Sequence, residues 1–291
     1  MIRTINFLII TVVIVSLFAC QAKQAKKIEN QISVSILPQK YFVERIAGSD
    51  FKVNILIPPG GSPATYEPTP MQMEQVSKSV AYFKIGHVPF ENTWMNNMIE
   101  AAGDIKVYNL SKGIELVRGP EVDHGDHVHE GGIDPHTWSS PKAVMQIANN
   151  LYNGLVELAP EKKEEYKKNL NGFLSELELL DKKSIEIFAN AEHKTFMIFH
   201  PALTYLARDY GLNQIPIELH GKEPSPAHMQ HLIREAKAHD IKIVFIQKQF
   251  NQDNAEAIAK EIKAKLIQID PLNEDWMAEM KSIINHLKGD A

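Results

Sequence analysis

The sequence predicts an α/β protein built as two lobes joined by one long rigid helix. Two observations carry this. Short β-branched runs alternate with helical stretches in the first part of the chain and again in the last, and such alternation argues for βα units with mainly parallel sheets. Between them, from Ser140 to Ala191, no strand signal occurs. From Pro160 onward Tyr166, Leu170, Phe173, Leu174, Leu177, Leu180 and Phe188 recur at helical spacing against a Lys/Glu face. A helix of roughly 30 residues spans about 40 Å at 1.5 Å per residue, long enough to connect two lobes.

In the first lobe, placed at 31–140, the stretches 32–37, 51–57, 80–86 and 105–110 read as strands. Helices are expected at 38–48, 70–79 and 91–102, with proline well placed at helix starts. The helical segment covers 141–190, with one helix over 141–158 and the long connector opening at Pro160. In the second lobe, 191–291, strands are expected at 194–199, 214–219, 241–247 and 266–269, and helices at 201–211, 226–238, 253–265 and 273–288.

The N-terminus carries an export signal over 1–19. Arg3 supplies a positive start, and Phe7 to Phe18 is an apolar run of signal length, too short to span a membrane. It ends in Leu17-Phe18-Ala19-Cys20, which resembles a bacterial lipobox with Cys20 as the lipidated residue; Phe18 is bulkier than usual there. Cys20 is the single cysteine, so disulfides and thiolate metal cages are excluded and any metal must be held by nitrogen and oxygen. Residues 20–30 are polar and read as a tether. The net charge of −5, with no basic stripe, gives no reason to expect nucleic acid.

The run Glu-Val-Asp-His-Gly-Asp-His-Val-His-Glu at 121–130 places His124, His127 and His129 among four carboxylates. Imidazole and carboxylate are ligands for borderline divalent metals, so the run points to transition-metal contact. A tight site, however, needs ligands on rigid elements, which a polar loop does not offer. In open α/β sheets ligands gather beyond the carboxyl ends of strands. His200 and Asp270 directly follow expected strands, and His136 lies just before the helix that Pro141 starts. Two imidazoles and a carboxylate make a partial Zn(II) set.

Around these positions, Asp134-Pro135-His136-Thr137-Trp138-Ser139-Ser140-Pro141, Phe199-His200-Pro201-Ala202 with Tyr205, Glu223-Pro224-Ser225-Pro226, Ile269-Asp270-Pro271-Leu272 and Tyr66-Glu67-Pro68-Thr69-Pro70 resemble the zinc/manganese substrate-binding proteins of ABC transporters. The resemblance runs in order over residues 30–291. It implies two α/β lobes joined by a rigid helix, a metal site in the cleft between them, and His136, His200 and Asp270 as three of four ligands. Manganese-selective members usually carry Glu at the position of His200, so Zn(II) is expected rather than Mn(II). The His-rich loop resembles that of zinc-binding members.

One position departs. The family reads Pro-His-x-Tyr-Glu-Pro-x-Pro with that His as the first ligand, whereas this chain has Ala64 there. Water, Glu67 turned inward, a histidine of the loop, or His87 at the end of the strand at 80–86 are the candidates to complete the set. The implied protein is an extracytoplasmic or periplasmic lipoprotein, monomeric, membrane-anchored through its N-terminal lipid, that delivers zinc to a permease and its ATPase. The rival readings are a manganese-binding member, a surface adhesin and a zinc-dependent hydrolase. No His-Glu-x-x-His or Gly-x-Ser-x-Gly motif supports the hydrolase, so an enzyme is not expected.

Overall fold

The computed structural model describes residues 30–103, 105–119, 122–123, 128–129, 132–219 and 221–288. The expected signal, Cys20, the tether up to residue 29, His124 and His127 lie outside them. Four strands, β1 (Gln31–Val34), β2 (Lys52–Ile55), β3 (Ala81–Lys84) and β4 (Lys106–Asn109), form an all-parallel sheet in the order β2-β1-β3-β4. The crossovers are α1 (Leu37–Ala47), α2 (Pro70–Ser77) and α3 (Pro89–Ala102). Each has a proline in its first turn, where a missing N–H costs nothing. α2 is also fixed by a capping box: Gln72 N donates to Thr69 Oγ1 and Thr69 N to Gln72 Oε1.

The His-rich run was expected as a loop, but it contains the arms of a hairpin. β5 (Val122–Asp123) pairs antiparallel with β6 (Val128–His129), matching Val122 with His129, and an isolated bridge joins Arg118 to Ile133 at its base. Short alternating Val/Asp and Val/His pairs carry too little periodicity to be read as strands.

Two helices follow: α4 (Pro141–Leu158) and, after a 3₁₀ turn at Pro160–Lys162, the 27-residue α5 (Lys163–Ala189). The second sheet is again all parallel, with β7 (Thr195–Ile198), β8 (Asn213–Pro216), β9 (Ile243–Gln247) and β10 (Lys265–Ile269) in the order β10-β9-β7-β8. Its helices are α6 (Thr204–Tyr210), α7 (Pro226–Ala238), α8 (Asp253–Ile262) and α9 (Trp276–Leu287). The two lobes share one topology. In each, the second strand lies outside the first and the third lies on the first strand's other side. The chain therefore reverses direction between β1 and β3, and between β7 and β9, leaving a crevice at the carboxyl ends.

One continuous core runs from β1 through α5 into the second lobe. Tyr166, Leu170, Phe173, Leu177, Leu180 and Phe188 are buried along α5, as the stripe predicts. The strand period of two then sorts the second sheet. Phe196 and Ile198 face this shared core, while Met197 and Phe199 face a separate cluster with Leu232 and Ile258 beneath α7 and α8. A buried side chain of this size contributes about 1.5–3 kcal/mol, so the connector is held to both lobes by many such terms.

A tryptophan exchange adds a directional lock between the segment before α4 and the second lobe. Trp138 Nε1–H donates to Pro271 O at 3.0 Å, and Trp276 Nε1–H donates to Trp138 O at 2.7 Å. Both rings are buried, and Phe42 of α1 meets Trp276 edge-on at 5.4 Å.

Gly154 of α4 marks the tightest helix–sheet approach. A Cβ there would lie 2.6 Å from Phe83 Cε1 and 3.1 Å from Tyr108 Cδ1, two rings already stacked 4.8 Å apart. Alanine favours a helix over glycine by about 1 kcal/mol, but overpacking costs about 1–3 kcal/mol. Gly154→Ala is expected to lower the urea midpoint; a midpoint at or above that of the parent would show that the rings have room to move.

Candidate metal centre

His200 sits two residues past the end of β7, in the crevice between β7 and β9. Gln247 at the end of β9 grips its backbone: Nε2–H donates to His200 O at 2.6 Å, and His200 N donates to Gln247 Oε1 at 3.3 Å. His200 Nδ1 meets Glu218 Oε1 at 2.9 Å, and Phe250 lies nearly parallel to the ring at 5.5 Å. His136 is fixed by its own loop. Asp134 Oδ1 accepts from His136 N at 2.8 Å and meets His136 Nδ1 at 2.9 Å. That loop is tied to α6 by Tyr205, whose hydroxyl donates to Asp134 O at 2.7 Å. Burial pushes the Asp134 carboxyl up, but hydrogen bonds from the His136 ring and backbone and from Thr204 outweigh it and hold the group below its usual range.

A carboxylate oxygen only accepts, so each ring's Nδ1 carries a proton, which leaves Nε2 as the nitrogen that can offer a lone pair to a metal. The two Nε2 atoms are 3.2 Å apart. Zn–N bonds of about 2.0–2.1 Å at tetrahedral angles place two nitrogens about 3.3 Å apart. Facing lone pairs at that distance repel unless a cation or proton lies between them. The pair therefore has the spacing, tautomers and carboxylate backing of a zinc-binding imidazole couple.

Both rings line a cavity of about 150 Å³ whose far wall comes from the first lobe through Pro63, Ala64 and Pro89. Ala64 thus lines the same cavity as the two histidines. Asp270, one residue past β10, lines a neighbouring cavity; Gln249 and Leu272 line both. Its oxygens are 3.4 Å from Lys248 Nζ and 3.4 Å from Gln249 Nε2, and Oδ1 accepts from Leu272 N at 3.3 Å. These are long contacts, and an ion pair to a half-exposed lysine is worth at most about 1 kcal/mol.

His87 and Glu67 line neither cavity. Glu67 is exposed. His87 follows β3 in the left-handed region at φ 65° after Gly86 at φ 92°, and burial together with nearby Lys84 lowers its pKa. The backbone just before His87 is held by a buried side chain. The crevice end of β3 is occupied by the buried carboxylate of Glu91, which accepts from Ile85 N at 2.8 Å and Gly86 N at 2.7 Å and bonds the Ser35 hydroxyl. Burial pushes the Glu91 carboxyl up, against those hydrogen bonds. Among the described residues no group of three or more His, Cys, Asp and Glu is arranged around one metal position. Sequence reading missed Glu218, Gln247 and Phe250, which surround His200 from other strands and loops.

The family model described as "Zinc-uptake complex component A periplasmic" matches residues 32–289. The chain belongs to this zinc-uptake component A family. The high-affinity zinc uptake system protein ZnuA of Bacillus subtilis (strain 168) is 31% identical over 243 residues, covering 80% of this chain and 76% of that protein. The zinc-binding lipoprotein AdcA of Streptococcus pneumoniae serotype 4 is 26% identical over 298 residues, covering 98% of this chain. The chain spans only 58% of the length of AdcA. A crystal structure of ZnuA superposes with a TM-score of 0.81 at 37% identity, covering 89% of this chain and 97% of that one. The parallel sheets and the connecting helix are thus those of the zinc-uptake component A family.

The carboxylates behind the histidines are expected to set ring orientation and basicity. Asp134→Asn and Glu218→Gln should each weaken Zn(II) or Co(II) binding by about 10–100-fold. Competition against a chromophoric chelator reads this directly, and unchanged affinity in both variants would remove the carboxylates from the site.

Proposed function

We propose that this chain captures Zn(II) outside the cytoplasmic membrane and passes it to an ABC permease driven by an ATPase, with His136 and His200 as the primary ligands and Asp270 as a third. The observation that carries this reading is the pair of Nε2 lone pairs 3.2 Å apart, each ring oriented by a carboxylate. Nitrogen ligation favours zinc over manganese. Asp270 would leave long contacts with Lys248, Gln249 and the Leu272 amide to turn toward the histidines. The shared core around α5 favours small lobe movements. Release to the permease then needs a docking event that disfavours the metal-bound state, since a tight binder does not let go unaided.

The His-rich run at 121–130 serves as an accessory metal collector in this reading. Cys20 supplies the lipid anchor and residues 20–30 the tether. No helix among the described residues is long and apolar enough to cross a membrane.

Zinc titration tests the assignment. His136→Ala and His200→Ala should each abolish tight zinc binding, while deletion of 121–130 should lower the stoichiometry and leave one tight site. Protons compete with zinc for imidazole, so affinity should fall below about pH 6, with proton release on binding. A tight site that survives loss of both histidines, or vanishes with the loop, overturns the ligand set. For the anchor, Cys20→Ala should shift the protein from the membrane fraction to the soluble fraction; no shift would show attachment by other means.

A further inference from the structure

The cavity in front of the two histidines is unusual for a zinc site in what its far wall lacks. His136 and His200 contribute two nitrogens from one side. From the first lobe, Ser62, Pro63, Ala64 and Pro89 line the same cavity, and the Ser62 hydroxyl is the one polar side-chain group among them. Asp270 adds one oxygen at most, and it opens onto the adjacent cavity. Tetrahedral zinc wants four ligands, and among the described residues the lining of the two cavities leaves at least one position open.

The shape and chemistry of the cavity say what kind of donor fits. Its volume is about 150 Å³. An apolar cavity of about that size holds a benzene molecule, so it has room for a five-membered aromatic ring. Trp138 and Phe250 add aromatic surface to the carbon wall at Ala64, and Phe250 already lies against the His200 ring. A water bound beside zinc at the Ala64 wall would find few polar partners there, whereas a flat neutral heterocycle buries its ring and offers one lone pair.

We propose that the site binds zinc together with a small neutral aromatic nitrogen donor of the imidazole class, seated against Ala64 and completing the coordination sphere. This deepens the zinc-capture reading and rests on it. The cargo is then a zinc–ligand complex rather than the hydrated ion alone.

The test uses the full chain in its metal-free form. Zn(II) is titrated against a chromophoric chelator with and without millimolar imidazole, with acetate as the control. Free imidazole ties up zinc in solution, so simple competition lowers the apparent affinity; only a ternary complex raises it. By linkage, affinity should rise about tenfold when imidazole stands at roughly ten times its own dissociation constant. The d–d bands of the Co(II)-loaded protein should shift in parallel. Ala64→His, on an exposed loop position, should bind zinc more tightly than the parent without imidazole and lose the response. Ala64→Trp should lose the response by filling the cavity. Zinc binding that imidazole leaves unchanged or weakens in the parent overturns the proposal. Absence of zinc binding under both conditions overturns the zinc-capture reading instead.

Discussion

Two imidazole lone pairs held 3.2 Å apart are the constraint around which this molecule is arranged. Neutral rings do not approach in this way by themselves. The arrangement is imposed from behind: Asp134 and Glu218 accept hydrogen bonds from the Nδ1–H groups, Gln247 pins the backbone of His200, and Tyr205 pins the loop of His136. Every one of those partners comes from a different part of the chain from the ring that it orients, apart from Asp134. The couple therefore exists only if the 134–139 segment and the second lobe are held in fixed relation.

The core and the tryptophan exchange supply that relation. The apolar stripe of α5 is continuous with both sheets, and Trp138 and Trp276 bond reciprocally across the join. Many apolar contacts fix the distance between elements, and two hydrogen bonds fix their register. Position 64 belongs to a different regime. It lies on an exposed loop of the first lobe, so its side chain can change without disturbing this frame. That separation lets position 64 vary while the arrangement around His200 stays intact.

The comparison of the two crevices is instructive. Both lobes have the same strand order, and both place a histidine after a central strand: His87 after β3 and His200 after β7. Equivalent topology does not give equivalent chemistry. In the second lobe Gln247 bonds the backbone and leaves the His200 ring free to point into the cleft. In the first lobe Glu91 caps the backbone of Ile85 and Gly86, and His87 is turned away at positive φ. The strand-end rule identifies where ligands gather but not which residue fills the crevice.

Local pattern was enough to read most elements. Period-two and period-3.6 burial, with proline at helix starts, marked the four strands of each sheet, the helices and the connector, because each element's own residues decide its burial face. Six of the eight strands were read one to three residues too long at the carboxyl end, since pairing stops where a partner strand stops, whereas the expected ends at 247 and 269 coincide with those of β9 and β10. The hairpin arms at 122–123 and 128–129 went unread because two-residue strands carry no period. For the site, spacing and motif singled out His136, His200, Asp270 and the alanine at 64. The sequence alone could not tell that Glu218, Gln247 and Phe250 surround His200, nor that Asp270 rests against Lys248 while His87 stays outside the cavity. Those facts are relations between residues far apart in the chain, and only the packing of two sheets against one helix brings them to a distance at which protons, lone pairs and charges act on one another.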